Sequence, residues 1–297
     1  MDSIFSFMPL LGSQILIGLS RTTILFIVSV GLSLVLGVLR IPNLTHGSLY
    51  MIGAFLTYTL HNTFLADKGF LFVGLGAVLV VGLMGFLMDR GIFNSFYERE
   101  HLMLILLTFA LFMIFGDLTK LIFGVEYKSV PVPRPFRGFI LLSSGIPFPF
   151  YNLFLVLLTP LVAFCLWFFV EKTKAGKIAK AAAVDRDMVS AVGINVGWVF
   201  CYVFVVGCIL GGLGGVLISP VVSITLGMDG AILIDAFLIV IIGGLGNIWG
   251  TLIASLVFGL SQSIATLISP QFGIVIPYVV ASIVLILRPK GLLRSIW

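Results

Sequence analysis

Charge is scarce in this chain. Asp, Glu, Lys and Arg make up 10% of its 297 residues, against about 25% in an ordinary soluble domain, which excludes a conventional soluble globular protein. Cysteine is scarcer still: Cys165, Cys201 and Cys208 all fall inside apolar runs, so there is no disulfide framework and no metal-ligand spacing. His46, His61 and His101 are equally without ligand spacing, so no metal site is expected. No paired acids, no nucleophile–base set and no Gly-x-x-x-x-Gly-Lys-[Ser/Thr] loop occur, so the chain is expected to be neither an enzyme nor a direct binder of ATP through such a loop. Gly244-Leu-Gly-Asn-Ile-Trp249 is one glycine short of a dinucleotide fingerprint and follows no βαβ pattern. The first residues, Met-Asp-Ser-Ile-Phe-Ser-Phe-Met-Pro, lack a basic n-region, and the first positive residue is Arg21. A cleavable signal peptide is not expected, and an acidic tail of this kind is readily translocated.

What is abundant is apolar: 60% of residues are hydrophobic and the mean hydropathy is +1.23. About 20 apolar residues span a bilayer core, and runs of that order recur at 10–39, 47–64, 70–89, 102–123, 151–170, 197–219, 231–243, 250–268 and 273–288. The expected fold is an all-α polytopic membrane protein of about 8–10 transmembrane helices, some broken or re-entrant, forming one transmembrane domain over 1–297. Nine crossings set the termini on opposite sides. The basic groups at Arg90/Arg99, at 172–186 and at Arg288/Lys290/Arg294 then share the cytoplasmic face, with the N-terminus outside and the C-terminus inside. The net charge of +5 therefore belongs to span ends and does not point to nucleic acid. The segment 120–150, with Pro131, Pro133, Pro135, Pro147 and Pro149, reads as an extended external loop.

Between two apolar runs lies a polar stretch, 171–196. Lys172, Lys174, Lys177, Lys180 and Arg186 mark it as a cytoplasmic loop. Ala181 to Ala183 favour helix, Ile178, Ala182, Val189 and Val192 can share one face, and Gly193 offers a C′ stop. The stretch reads either as a short amphipathic helix built to touch another protein or as a solvated loop that sets topology.

Two spans are interrupted. The long first run breaks at Arg40-Ile-Pro-Asn-Leu-Thr-His-Gly47, and the short run 231–243 ends in Gly243-Gly-Leu-Gly-Asn247. Interrupted segments in the two halves of a transporter point to its solute path, so Asn43, His46, Gly47, Gly243, Gly244, Gly246 and Asn247 are candidate path residues. Asparagines supply hydrogen bonds there without the cost of a buried charge. The stripes Gly207/Gly211/Gly215 and Thr251/Ser255/Gly259/Ser263 read as helix-packing surfaces. Arg21, well inside the first run, either lines a polar path or pairs with a neighbouring helix. Asp235 is either an interfacial anchor or a contact for a solute ammonium, and Asp89, Arg90, Asp117 and Lys120 read as boundary residues. An ion-coupled carrier or channel using Arg21, Asp117 and Asp235 is the alternative on these residues.

Four motifs carry a resemblance. Asn43-Leu-Thr-His-Gly-Ser-Leu-Tyr-Met-Ile-Gly-Ala-Phe55 follows an Asn-Phe-Ala-His-Gly…Gly-Ala-Tyr pattern, with Leu44, Thr45 and Phe55 as departures. Residues 173–195 follow a cytoplasmic loop nearly position for position. Gly243-Gly-Leu-Gly-Asn-Ile-Trp-Gly250 follows Gly-Gly-x-Gly-x-x-x-Gly, with Ala254 where a further glycine is common, and Arg288-Pro-Lys-Gly-Leu292 follows a C-terminal signature. In this order the chain resembles the permease subunits of ABC importers of the branched-chain amino-acid class, which also serve urea and short amides, and is similar to the shorter of the two permease types. The resemblance implies a bacterial inner-membrane permease paired with a second, related permease subunit, two cytoplasmic ATPases that bind the ATP, and an external substrate-binding protein. No cofactor of its own is implied. Residues from about Lys177 to Asn195 resemble the family's coupling helix, which makes Gly176, Lys177, Lys180, Ala181, Ala183, Asp185, Gly193 and Ile194 the implied ATPase-coupling residues. Arg21 stands where a neutral residue is usual.

Overall fold

The computed structural model describes residues 2–63, 69–97, 99–141, 146–289 and 291–293, with side chains from residue 11 onward. Lys290 and Arg294 of the C-terminal basic group lie outside the described residues. The chain is helical almost throughout: α1 (Asp2–Leu39), α2 (Thr45–Thr63), α3 (Phe70–Gly91), α4 (His101–Phe123), α5 (Phe150–Lys172), α6 (Lys174–Val184), α7 (Arg186–Ala191), α8 (Val196–Ile218), α9 (Met228–Gly243), α10 (Ile248–Ile268) and α11 (Pro270–Leu287). All nine expected runs are helices. Seven are long and apolar enough to cross a membrane. The other two are α2, whose 19 residues include His46, His61 and several threonines, and α9, with 16 residues.

Helix α1 is the central strut. Phe26, Ile27, Val28, Val30 and Leu32 are wholly inaccessible, as a helix apolar on every side must be when others surround it. It packs along α8 and α10 through small residues. A Cβ on Gly31 would meet the Gly207 carbonyl oxygen at 2.9 Å, and one on Gly259 would meet Thr22 Oγ1 at 2.6 Å. Both small-residue stripes thus serve close helix approach. Gly215 is the tightest case within the two stripes, since a Cβ there would lie 2.0 Å from the Tyr50 carbonyl oxygen of α2. In contrast, α4, α5 and α11 turn Leu106, Phe109, Leu157, Phe164, Ile274 and Ile286 outward, the composition that lipid or another membrane subunit requires.

The expected external segment is helical up to Phe123. It then forms a short 3-10 turn and an antiparallel pair, β1 (Phe139–Leu141) with β2 (Pro147–Pro149). Its prolines sit where no ladder donor is needed. Lys128 pairs through its backbone with Ile224, tying this loop to the connection between α8 and α9.

The expected single amphipathic helix is two. Asp185 leaves helical geometry (φ −144°) and caps α7, accepting from the Met188 backbone N–H at 2.9 Å. A short carboxylate side chain competing for backbone donors breaks the run there. Gly193 does adopt the left-handed conformation (φ 85°) that a C′ stop uses. Asp89 and Arg90 are not solvated boundary residues: Asp89 is fully buried and accepts from the Tyr97 hydroxyl, and Arg90 lies over the Trp198 ring at 3.5 Å. Burial and the adjacent Asp89 carboxylate raise the Tyr97 pKa, so this phenol stays a hydrogen-bond donor.

Candidate functional site

A cavity of about 560 Å³ opens beside the middle of α1, inside the roughly 300–1,000 Å³ range of small-molecule sites. Its walls come from α1, α2, α5, the 218–228 connection and α9. Ile24, Leu25 and Ile232 give it apolar surface, while Arg21, Asn152, Ser223, Thr225 and Asp235 give it polar groups. Arg21 is exposed into this space, within the apolar span of α1. Asp235 is buried and accepts a 2.8 Å hydrogen bond from the Tyr278 hydroxyl of α11. Asp117 stands elsewhere, exposed on α4, so the three charged residues of the ion-coupled reading are not gathered in one place.

The two interrupted segments lie apart from this cavity and are buried turns. Asn43 Oδ1 accepts from the Thr45 backbone N–H at 3.1 Å and from its hydroxyl, opening α2. His46 Nε2 donates to the Val28 carbonyl at 2.9 Å. Because Val28 lies about 16 Å of helix before Leu39, the chain leaves the end of α1, turns back into the membrane and starts α2 at depth. Asn43 Nδ2 and His46 Nδ1 are buried without a hydrogen-bond partner among the described residues. Gly47 lies against the Asp229 backbone of α9.

The second turn follows the same logic. The Gly246 backbone N–H donates to Ser33 Oγ at 3.0 Å, and Asn247 Oδ1 caps α10 by accepting from the Gly250 N–H at 2.9 Å. A Cβ on Gly243 would fall 2.7 Å from the Gly250 backbone, and Gly244 turns the chain at φ 96°. Irregular backbone at membrane depth is thus satisfied by protein on both sides.

At the C-terminal end of α1 the polar loop forms a corner. Ala182 and Val189 are buried and Ile178 is half-buried, whereas Val192 is 75% exposed. The apolar face expected from spacing therefore packs mostly on the bundle itself. A different stripe projects: Val184 and Met188, 70% and 68% exposed, with Val192. Gly176 lets α6 press on α5, since a Cβ would meet the Val170 carbonyl oxygen at 2.3 Å. Lys177 and Ala181 are exposed, Lys180 pairs with Glu171, and Ile194 is half-buried against the core.

Arg40, which spacing did not single out, joins this corner to α1. Its Nη2 donates to the Ala183 carbonyl at 3.0 Å, while Arg186 Nη2 donates to the Leu39 carbonyl at 3.2 Å. Burial, with Arg40 as a like-charged neighbour, lowers the Arg186 pKa. The hint in the sequence was a lone basic residue at a span break. The Tyr278–Asp235 contact and the 218–228 wall carried no such signal.

Comparison with known proteins identifies the family. Residues 14–288 match the family described as branched-chain amino acid transport system / permease component. The chain is 24% identical, over 90% of each chain, to the high-affinity branched-chain amino acid transport system permease protein LivH of Salmonella typhimurium. It is 24% identical to BraD of Pseudomonas aeruginosa over 94% of each. With the probable branched-chain amino acid transport permease protein LivH of Methanocaldococcus jannaschii it shares 25% over 93% of this chain and 90% of that one. No solved structure matches. A multi-pass helical bundle matched along nearly its whole length by these permeases belongs to the branched-chain amino acid ABC transport permease family.

Proposed function

We propose that this chain is the shorter of two permease subunits of an importer for branched-chain amino acids or a closely related small solute. An external binding protein delivers the solute, and two cytoplasmic ATPases, which bind the ATP, drive its passage. The N-terminus is outside and the α6–α7 corner and the C-terminus are cytoplasmic. The observation that carries this reading is the corner itself. Val184, Met188 and Val192 form an exposed apolar stripe on a unit that two arginine bonds hold to the end of α1. Such a stripe suits a groove on a partner, and a rigid link can pass the partner's closure to α1. Lys177 and Asp185 form its exposed polar surroundings, with Ala181 exposed beside them, whereas Gly176, Lys180, Ala183, Gly193 and Ile194 shape it.

The solute enters the cavity beside Arg21. The turns carrying Asn43, His46, Gly47, Gly243, Gly244, Gly246 and Asn247 are seams that part when the transporter opens inward. Supporting this, the unpaired Asn43 Nδ2 and His46 Nδ1 destabilise the closed arrangement by about 1–3 kcal/mol each, a penalty that water in an open seam removes.

The test is to extract the C-terminally tagged protein gently and identify what copurifies. Two ATPases and a second permease are expected, and Val184→Asp with Met188→Asp should lose the ATPases while still inserting. An ATPase-free oligomer under conditions that preserve such complexes would overturn the assignment.

A further inference from the structure

We infer that the cavity beside α1 is a selectivity site in which Arg21 anchors the carboxylate of the solute and Asp235 its ammonium group. The inference rests on the importer reading above and assigns the residues that read the solute's two charges.

An arginine inside an apolar span is costly. Arg21 makes no ion pair within 4.0 Å and no hydrogen bond among the described residues, and its side chain is exposed into the cavity. Asp235 lines the same space, yet the two are not within the 4.0 Å of a salt bridge. Arg21 and Asp235 attract each other across the cavity without touching, which leaves room between them for a molecule carrying both charges. The planar guanidinium fork is suited to a carboxylate. Tyr278 holds the Asp235 carboxylate in place by donating to Oδ1. Ile24, Leu25 and Ile232 of the same cavity form an aliphatic wall that accepts a branched hydrocarbon side chain.

The experiment uses the copurified complex in proteoliposomes with its binding protein outside. Three probes share one carbon skeleton: leucine carries both charges, leucinamide only the ammonium, and 4-methylpentanoate only the carboxylate. Arg21→Gln should raise the KM for leucine by about 10- to 100-fold, the loss of one charge-assisted hydrogen bond. It should leave leucinamide competition unchanged, and Arg21→Lys should restore part of the effect. Asp235→Asn should weaken leucine and leucinamide but not 4-methylpentanoate. Equal losses for all three probes, or unchanged leucine KM in Arg21→Gln with normal insertion, would overturn the charge assignment while leaving the importer intact. A wild-type complex that takes up no amino acid would instead overturn the importer reading, and this inference with it.

Discussion

Arg40 and Arg186 make reciprocal bonds between the end of α1 and the α6–α7 corner. The Arg40 guanidinium donates to the Ala183 carbonyl at the end of α6, and the Arg186 guanidinium donates to the Leu39 carbonyl at the end of α1. Arg40 is the one described non-glycine residue with positive φ, at 58°. It occupies the position after a helix where glycine is favoured, at a cost of about 1–2 kcal/mol. A side chain kept there against backbone preference is explained by the bond it makes across to α6.

Removing either arginine should therefore loosen the corner from α1. Arg40→Gly relieves the backbone and deletes the bond. It should lower solute-stimulated ATPase activity severalfold without preventing membrane insertion. Arg186→Ala should do the same, and the double variant should be less than additive, by about 1 kcal/mol in a double-mutant cycle of thermal stability. Full additivity would mean the two bonds act independently.

Lys177 and Lys180 should respond differently to charge reversal. Lys177 is exposed, so Lys177→Glu should weaken ATPase binding with little change in stability. Lys180 pairs with Glu171 of α5, so Lys180→Glu sets two carboxylates together and should lower the melting temperature as well. Melting curves and copurification measured on both variants separate the two roles.

Gly215→Ala should be the most damaging glycine substitution on α8. Its Cβ would overlap the Tyr50 carbonyl oxygen, forcing α2 and α8 apart at about 1–3 kcal/mol. Gly116→Ala on α4, with nothing within 4 Å, should leave the melting temperature unchanged or slightly raised. Similar losses in both would show that helix flexibility, not close approach, sets the effect.

Accessibility should separate the cavity from the seams. In a Cys165→Ser background, Ser223→Cys faces the cavity and is exposed, and should react with a water-soluble thiol reagent at rest. Asn43→Cys and Asn247→Cys replace residues that are 1% and 6% exposed, and should react only during ATP turnover. Resistance in every state would remove the seams from the path.

Asn247 also has a structural task. As the cap of α10 it satisfies the Gly250 N–H, so Asn247→Ala should cost about 1 kcal/mol. Asn247→Asp, which keeps the acceptor but buries a charge, should cost more. Thermal melting of the two variants checks the order.

The class of fold and the polar corner were readable in the chain because both rest on local chemistry. Each of the nine apolar runs became a helix, since a segment that cannot expose its backbone to water must satisfy it internally. Gly193 stopped its helix as its lack of a Cβ allows, and the small-residue stripes met other helices as their spacing required. The break at Asp185 was a local signal as well, a capping side chain inside an alanine run, yet helix propensity outweighed it in the reading.

What the chain order could not convey was which faces meet. Ile178, Ala182 and Val189 share an apolar face, but periodicity does not say whether that face meets a partner or the protein's own bundle. Packing turned it inward and left Val184, Met188 and Val192 outside. Arg21 and Asp235 are far apart along the chain and share a cavity only because α9 folds beside α1 and the 218–228 connection closes the wall. The Arg40–Arg186 exchange likewise joins α1 to a corner that four helices separate from it along the chain. Local propensity and hydropathy act over a few residues, whereas cavities and cross-helix bonds arise from long-range packing, which no single segment encodes.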